Sequence, residues 1–202
     1  MIEQYGADTV RLFILFKAPP ENVLEWDINA IQGIYRWLSR LWYSVNNLIS
    51  NLPTILSKNE TTLTEEEKKL LTATHQAIKQ VTYCMSIEQH TFNVAIAELM
   101  KLSNTMNDLS NDTKNTKTYY KSIRSLLLML SPMAPHIASE MWHSLVSQGP
   151  QLNGDWFGDS SNLNILDQKW PVYNPDYLLS NNRKITIMVF VNNLTIFLTF
   201  LF

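Results

Sequence analysis

Between residues 28 and 50, apolar side chains recur at spacings of three, four and seven, which constrains the fold more than any other feature. The stripe consists of Ile31, Ile34, Leu38, Leu41, Trp42, Val45, Leu48 and Ile49. Such spacing places these side chains on one face of a long helix and directs that face to a core. Asn51, Leu52 and Pro53 predict the end of the helix, because proline breaks a helix interior.

Several further segments carry helical signals. Thr64 and Glu67 form a predicted capping box, in which each side chain accepts from the backbone N–H of the other residue. The predicted helices are 1–17, 28–50, 64–84, 92–109, 116–131 and 135–146, and the first is stopped by Pro19 and Pro20. Helices joined by short polar loops predict a mainly α, antiparallel bundle. Residues 148–183 predict an irregular linker, and residues 184–200 predict one or two strands.

Composition limits the function classes. A hydrophobic fraction of 46% with six tryptophans is enough for a substantial core. The net charge of −2 excludes nucleic-acid binding through the whole surface, so any RNA contact must be a local patch. The single cysteine, Cys84, excludes an internal disulfide and favours a small buried side chain. No apolar run reaches the roughly 18 residues of a membrane span, and the start of the chain carries no secretory or transit signal.

No catalytic constellation is present in the sequence. There is no glycine-rich phosphate loop and no Cys-x-x-Cys pair. His136 and His143 are seven residues apart on one predicted helix, but a metal site would need a further ligand. We therefore predict a packing role at the end of the bundle for these histidines, with no catalytic and no metal-binding residue.

One candidate RNA-binding surface lies opposite the apolar stripe. It carries Gln32, Arg36, Arg40, Tyr43 and Asn47. Arg36 and Arg40, one helical turn apart, can present their guanidinium groups to successive phosphates. On periodicity alone, a solvated polar face with incidental arginines is favoured over RNA contact.

A second candidate surface consists of Lys114, Lys117, Lys121 and Arg124, which recur at three, four and three. On one helix they would fall within about a quarter of the circumference and could follow a phosphate backbone. A solvated face is the favoured alternative. Trp26 and Trp42 could stack on bases, although core packing is favoured. For Arg11, an internal pair with Asp8, Glu25 or Asp27 is favoured over RNA contact.

Residues 5–16, YGADTVRLFILF, followed by Pro19 and Pro20 and then by Leu24, Glu25 and Trp26, resemble leucyl-tRNA synthetases of the bacterial and organellar type. In that family the segment follows the catalytic Lys-Met-Ser-Lys-Ser loop, which does not occur here. Residues 33–42, GIYRWLSRLW, resemble the family's Gly-x-x-Arg-Phe-Leu-x-Arg-x-Trp segment, whose two arginines face the tRNA. With the resemblance included, RNA contact becomes the favoured prediction for Arg36 and Arg40.

The resemblance extends over residues 1–191. Similar motifs are LTEEEKKLL at 63–71, FNVAIAELM at 92–100, LSPMAPHIASEMW at 130–142 and DQKWP at 167–171. It implies a stem-contact segment at 1–27, an anticodon-binding-type bundle at 28–147, a linker at 148–183 and the truncated start of a C-terminal β-containing domain at 184–202. After Asn192 the chain departs from the family pattern, which puts that last domain in doubt.

The resemblance implies a tRNA-docking portion of a leucine–tRNA ligase. The parent enzyme uses ATP with magnesium, and we expect this chain to bind neither and to be inactive alone. The implied partner is tRNA-Leu, held through backbone and shape, by a monomer with no membrane contact. The mitochondrial matrix is the expected compartment, with the bacterial cytoplasm as the alternative. The rival interpretations are a helical protein–protein interaction module and a non-functional fragment.

Overall fold

The computed structural model describes residues 1–17, 27–57, 62–149, 152–179, 184–191 and 194–201. Its helices are α1 (Ile2–Tyr5), α2 (Ala7–Lys17), α3 (Ile28–Ser57), α4 (Glu65–Cys84), α5 (Phe92–Asn107), α6 (Asn111–Lys114), α7 (Lys117–Leu130), α8 (Pro135–Gln148) and α9 (Asp176–Leu179). Its strands are β1 (Asn153–Gly154), β2 (Gly158–Asp159), β3 (Lys184–Val191) and β4 (Leu194–Leu201), and Ile165–Asp167 form a 3₁₀ helix. The predicted mainly α bundle with a short C-terminal β segment is confirmed.

The first predicted helix is divided at Gly6. This residue has φ 81°, a conformation that glycine adopts without steric cost, and it separates α1 from α2. Leu12 and Phe13 of α2 are fully buried in the bundle. The segment before Pro19 is therefore packed as part of the core.

Helix α3 is longer than predicted. It continues through Pro53 to Ser57, so the predicted end near residues 51–53 is wrong. Leu52 and Ile55 are buried and extend the apolar stripe by two positions. Burying each contributes about 1.5–3 kcal/mol, which offsets the cost of an interior proline, about 3 kcal/mol.

The tryptophan of α3 that is buried in the core is not the one that belongs to the predicted stripe. Trp42, predicted in the core, is 41% exposed, whereas Trp37 is 2% exposed. The Trp37 indole N–H donates to Ser103 Oγ at 2.8 Å, which satisfies its polar atom inside the bundle. Trp26 lies outside the described residues.

Helix α4 begins as the sequence predicts. The Glu67 backbone N–H donates to Thr64 Oγ1 at 3.2 Å, and the Thr64 backbone N–H donates to a Glu67 carboxylate oxygen at 3.0 Å. The predicted capping box is confirmed.

Helices α2 and α8 are joined at their ends. The cap residue of α8, Ala134, has no polar side chain, and Asp8 of α2 accepts from the Ile137 N–H at 2.7 Å in its place. Arg11 donates to the carbonyl oxygens of Met133 and Pro132 at 3.1 and 3.3 Å. The predicted pairing of Arg11 with Asp8 or Asp27 is wrong, because these carboxylates bind α8 and Lys17 instead. Glu25 lies outside the described residues.

Residues 152–179 are largely irregular, as predicted, but they are not a free linker. β1 pairs with β2 as a short antiparallel ribbon, and Phe157, Ser160 and Ile165 are buried against the bundle. The Trp170 indole N–H donates to Thr82 Oγ1 at 2.8 Å, which ties the segment to α4.

The C-terminal residues form a separate hairpin. β3 and β4 are antiparallel, with the register running from Lys184 opposite Leu201 to Val191 opposite Leu194. Among the helices of the described ranges, none combines the length and apolar character needed to cross a bilayer.

Candidate nucleic-acid interface

The outer face of α3 presents the first predicted surface to solvent. Gln32, Arg36, Arg40, Tyr43 and Asn47 are all exposed, and they lie opposite the buried stripe. The structure therefore brings these five side chains together on one helix face. We call this set the α3 ridge.

Arg36 and Arg40, the two cations of the α3 ridge, have no carboxylate partner within the described part of the chain. The Arg36 Nε donates to the Gln32 carbonyl oxygen at 3.3 Å, a contact within its own helix. Neither Arg36 nor Arg40 pairs with a carboxylate among these residues. The two arginines are four positions, or about 6 Å of helix axis, apart. Two adjacent guanidinium groups without carboxylate partners suit the phosphates of one strand.

Arg124 is fully buried, and its predicted RNA contact is wrong. Its Nη1 donates to the Leu152 carbonyl oxygen at 3.0 Å and to Ser160 Oγ at 2.8 Å. The guanidinium also lies 4.9 Å from the Trp142 ring centroid and 5.2 Å from that of Phe157. Burial lowers the pKa of Arg124, but an arginine stays protonated from so high a starting value. This arginine therefore holds the 152–160 segment against α7.

The second predicted surface does not form one stripe, because its lysines, Lys114, Lys117 and Lys121, do not share a single helix. Lys114 ends α6 and Lys117 begins α7, so the single-helix geometry behind the prediction is wrong. Lys114 Nζ donates to the Asn107 carbonyl oxygen at 2.6 Å, and Lys121 Nζ lies 5.2 Å from the Phe157 ring centroid. RNA contact by Lys114, Lys117 and Lys121 stays a prediction.

The structure joins one of these lysines to the α3 ridge. Tyr43 and Asn47 of α3 and Lys114 of α6 line one cleft of about 300 Å³. The cleft is also lined by four further asparagines, Asn51, Asn107, Asn111 and Asn115. We call it the asparagine cleft. Of these asparagines, sequence reasoning identified only Asn47. The signal that could have identified the others is their spacing of four, at 47 and 51 and again at 107, 111 and 115.

A larger apolar cleft lies on the other flank of α3. It has a volume of about 480 Å³ and is lined by Tyr5, Tyr35 and Trp42 among other residues. The rings of Tyr5 and Tyr35 meet edge to face at 5.8 Å, and both Tyr35 and Trp42 remain exposed by more than two-fifths. The cleft therefore presents an exposed aromatic surface to solvent.

The two histidines of α8 differ in their surroundings. His136 Nδ1 lies 2.8 Å from Asp8 Oδ1 at the junction of α2 and α8, whereas His143 is exposed. Over the ranges the structure describes, no three His, Cys, Asp or Glu side chains gather as metal ligands would. His136 thus lies in a helix junction.

Comparison with known proteins identifies the family to which the chain is related. A family model described as the anticodon-binding domain of tRNA ligase matches residues 67–195. The leucine–tRNA ligase of Rippkaea orientalis is 39% identical over 189 residues, which are 94% of this chain and 20% of that protein. The mitochondrial leucine–tRNA ligase of Dictyostelium discoideum is 33% identical over an alignment of 217 positions. That alignment covers 93% of this chain and 23% of that protein.

A solved structure has the same fold. It is the ternary complex of the Agrobacterium radiobacter K84 agnB2 LeuRS with tRNA and LeuAMS, which superposes with a TM-score of 0.72. The superposition covers 99% of this chain and 24% of that one, at 24% sequence identity.

The resemblance to leucyl-tRNA synthetases predicted from the motifs is confirmed by these relatives. The chain spans about a fifth of the length of the curated relatives it matches. The α3 ridge precedes the region that the family model matches. That region covers more than half of the 202 residues, and the chain belongs to the family of anticodon-binding domains of tRNA ligases.

Proposed function

We propose that these residues form the tRNA-docking part of a leucine–tRNA ligase. The observation that carries the proposal is the α3 ridge, where Arg36 and Arg40 are exposed without a carboxylate partner in the described ranges. The relatives are leucine–tRNA ligases, so the RNA is tRNA-Leu. The ridge binds its backbone, and the rest of the parent enzyme receives the positioned acceptor end.

The parent reaction joins leucine to tRNA-Leu at the expense of ATP, with magnesium. We assign both to other parts of the parent enzyme, because neither of the two ATP-holding motifs of class I synthetases occurs in these residues. The contribution of this chain is binding and orientation, and it acts as a monomer.

The relatives include both bacterial and mitochondrial proteins, which gives two candidate compartments. We propose the mitochondrial matrix, with the bacterial cytoplasm as the alternative. Immunodetection in fractionated cells of the source organism distinguishes the two.

The test measures binding of the 202-residue chain to a tRNA-Leu transcript over a salt series, with a scrambled RNA alongside. Each phosphate contact adds about 0.7–0.9 to the slope of log affinity against log salt. We therefore expect Arg36→Ala and Arg40→Ala each to lower the slope by roughly one. Lys69→Ala, an exposed cation of α4, is the control and should leave the slope unchanged. Unchanged slopes in both arginine variants would remove the phosphate assignment.

One observation favours a second function, a helical module that binds another protein. The apolar cleft exposes Tyr35 and Trp42, which is unusual for a surface that faces only water. Capture of a partner after RNase treatment would support this function, because an RNA-mediated contact would be lost. The variant Trp42→Ser should release such a partner while leaving RNA binding by the α3 ridge intact.

A further inference from the structure

We propose that the asparagine cleft receives one unpaired adenine of the bound RNA, with Tyr43 stacking on its face. The inference rests on the proposed function and adds a base-reading subsite to a surface that the family resemblance assigns to backbone and shape. It is carried by the amides of Asn47, Asn51 and Asn111, by the exposed ring of Tyr43 and by the position of Arg40.

The cleft has the size of a single-base site. Its volume of about 300 Å³ is at the lower limit of ligand pockets in proteins and is too small for a duplex. Asn47 and Asn51 of α3, one helical turn apart, line the cleft together with Asn111 at the start of α6. Leu48, buried at 2% exposure, provides an apolar floor. A flat base entering from solvent would thus meet amides at its edge.

The amides are available for a ligand. Within the described residues, the side chains of Asn47, Asn51 and Asn111 make no hydrogen bond, and Asn107 Oδ1 accepts only a long one of 3.4 Å from Ser44 Oγ. A carboxamide presents a donor and an acceptor side by side. Unpaired bases in RNA are read through such pairs at their edges. The cleft therefore offers several base-edge partners that no contact within the described chain consumes.

The chemistry of the lining selects adenine. Asparagine pairs with adenine through the neighbouring donor and acceptor of that base, whereas arginine or lysine suits guanine and a carboxylate suits cytosine. No arginine, aspartate or glutamate lines the cleft. The one cation there, Lys114, already donates to the Asn107 carbonyl oxygen at 2.6 Å.

Tyr43 supplies the stacking surface. Its side chain is 67% exposed and makes no ring contact within the described residues, so one face is open to a base. Arg40 lies three residues, about one turn, before Tyr43 on α3. A nucleotide whose phosphate is held by Arg40 would therefore present its base to Tyr43 and the cleft.

The experiment is chemical probing of tRNA-Leu with and without the 202-residue chain. Dimethyl sulfate methylates N1 of unpaired adenines and diethyl pyrocarbonate modifies their N7, so the two reagents together report both edges of the base. We expect one unpaired adenine to be protected. Tyr43→Leu, Asn47→Ala and Asn111→Ala should each remove the protection and weaken binding about tenfold, with the salt slope unchanged. Tyr83→Leu is the matched control, an exposed tyrosine on α4 that should leave protection intact.

The outcomes separate this inference from the proposed function. Salt-dependent tRNA binding without any protected adenine, or protection that survives the three variants, would overturn the base site and leave backbone docking in place. Protection of guanine or cytosine from dimethyl sulfate instead would overturn the assignment of adenine. Absence of tRNA binding at low salt would overturn both proposals. Urea denaturation of each variant verifies that the side chain was removed from a folded chain.

Discussion

At the scale of single residues, the fold opposes a positive charge on His75. It is fully buried between Tyr177, stacked at 4.6 Å, and Trp156, at 4.8 Å between ring centroids. Its Nδ1 accepts from the Asn174 N–H at 3.2 Å, so the neutral ring carries its proton on Nε2. Burial lowers the pKa of His75 to about 4.

This burial predicts an acid-sensitive stability. The unfolded chain binds the proton near pH 6.5 and the folded chain near pH 4, so stability is complete above pH 6.5 and declines between these values. The loss from pH 7 to pH 4 amounts to about 3 kcal/mol. Urea denaturation of the wild type and of His75→Phe should show a much smaller decline in the variant. His143→Gln, on an exposed histidine, is the control, and an equal decline in all three proteins would contradict the prediction.

Arg124 shows that the spacing of residues in a sequence does not predict whether a distant segment buries them. The interval between Lys121 and Arg124 is that of a helix face, and the prediction treated both as part of one solvated cationic stripe. Leu152, Phe157 and Ser160, which cover Arg124, come from a segment about thirty residues further along the chain. Burial of this kind depends on tertiary contacts that periodicity does not contain.

At the scale of elements, α3 carries both the core stripe and the α3 ridge. Its apolar side was predictable because the helical period repeats over many turns. Gly33, in the interior of this helix, has no atom within 4 Å of the position a Cβ would occupy. Packing within the described residues therefore gives no reason for a glycine there.

The open surroundings of Gly33 predict that Gly33→Ala stabilises the chain. Alanine is preferred to glycine in a helix interior by up to about 1 kcal/mol, and the added methyl group meets no atom of the described residues within 4 Å. The urea midpoint should rise, while the slope of the free energy of unfolding against urea concentration stays the same. Gly149→Ala should have the opposite effect, because its methyl group would collide with the Tyr120 hydroxyl. A lower midpoint for Gly33→Ala would contradict this account of α3.

The candidate site could be predicted only where it lies on a single element. Arg36, Arg40 and Tyr43 share α3, and helical geometry was enough to group them. The asparagine cleft combines α3 with the segment from Asn107 to Asn115, about sixty residues away. A meeting of two segments depends on how the helices pack, which the sequence pattern does not specify.

At the scale of the whole molecule, the contact between α2 and α8 joins the two ends of the bundle. Asp8 is 7% exposed, and its carboxylate accepts from the Ile137 N–H while lying 2.8 Å from His136 Nδ1. It therefore caps a helix that begins 127 positions later in the chain, where Ala134 offers no side-chain acceptor. Sequence reasoning predicted the bundle but not this closure, because caps are sought next to the helix they serve.

Removal of this cap should destabilise the entire chain. We expect Asp8→Ala to cost about 2 kcal/mol, through the lost cap and the unsatisfied Ile137 N–H. Asp8→Asn keeps a side-chain oxygen that can accept and should cost less. Asp155→Ala, on an exposed aspartate, should stay within about 0.5 kcal/mol of the wild type. Urea denaturation measures all three, and equal stabilities for Asp8→Ala and Asp155→Ala would refute the role of the cap.

The closure of α2 onto α8 also has a consequence for synthesis of the chain. The two partners are separated by 129 residues, which at 5–20 residues per second amounts to roughly 6–26 s of translation. During this interval α2 has left the ribosome without the helix that it caps, and Leu12 and Phe13 lack part of their final cover. Helix α2 is therefore a segment on which a chaperone would act while α8 is still being made.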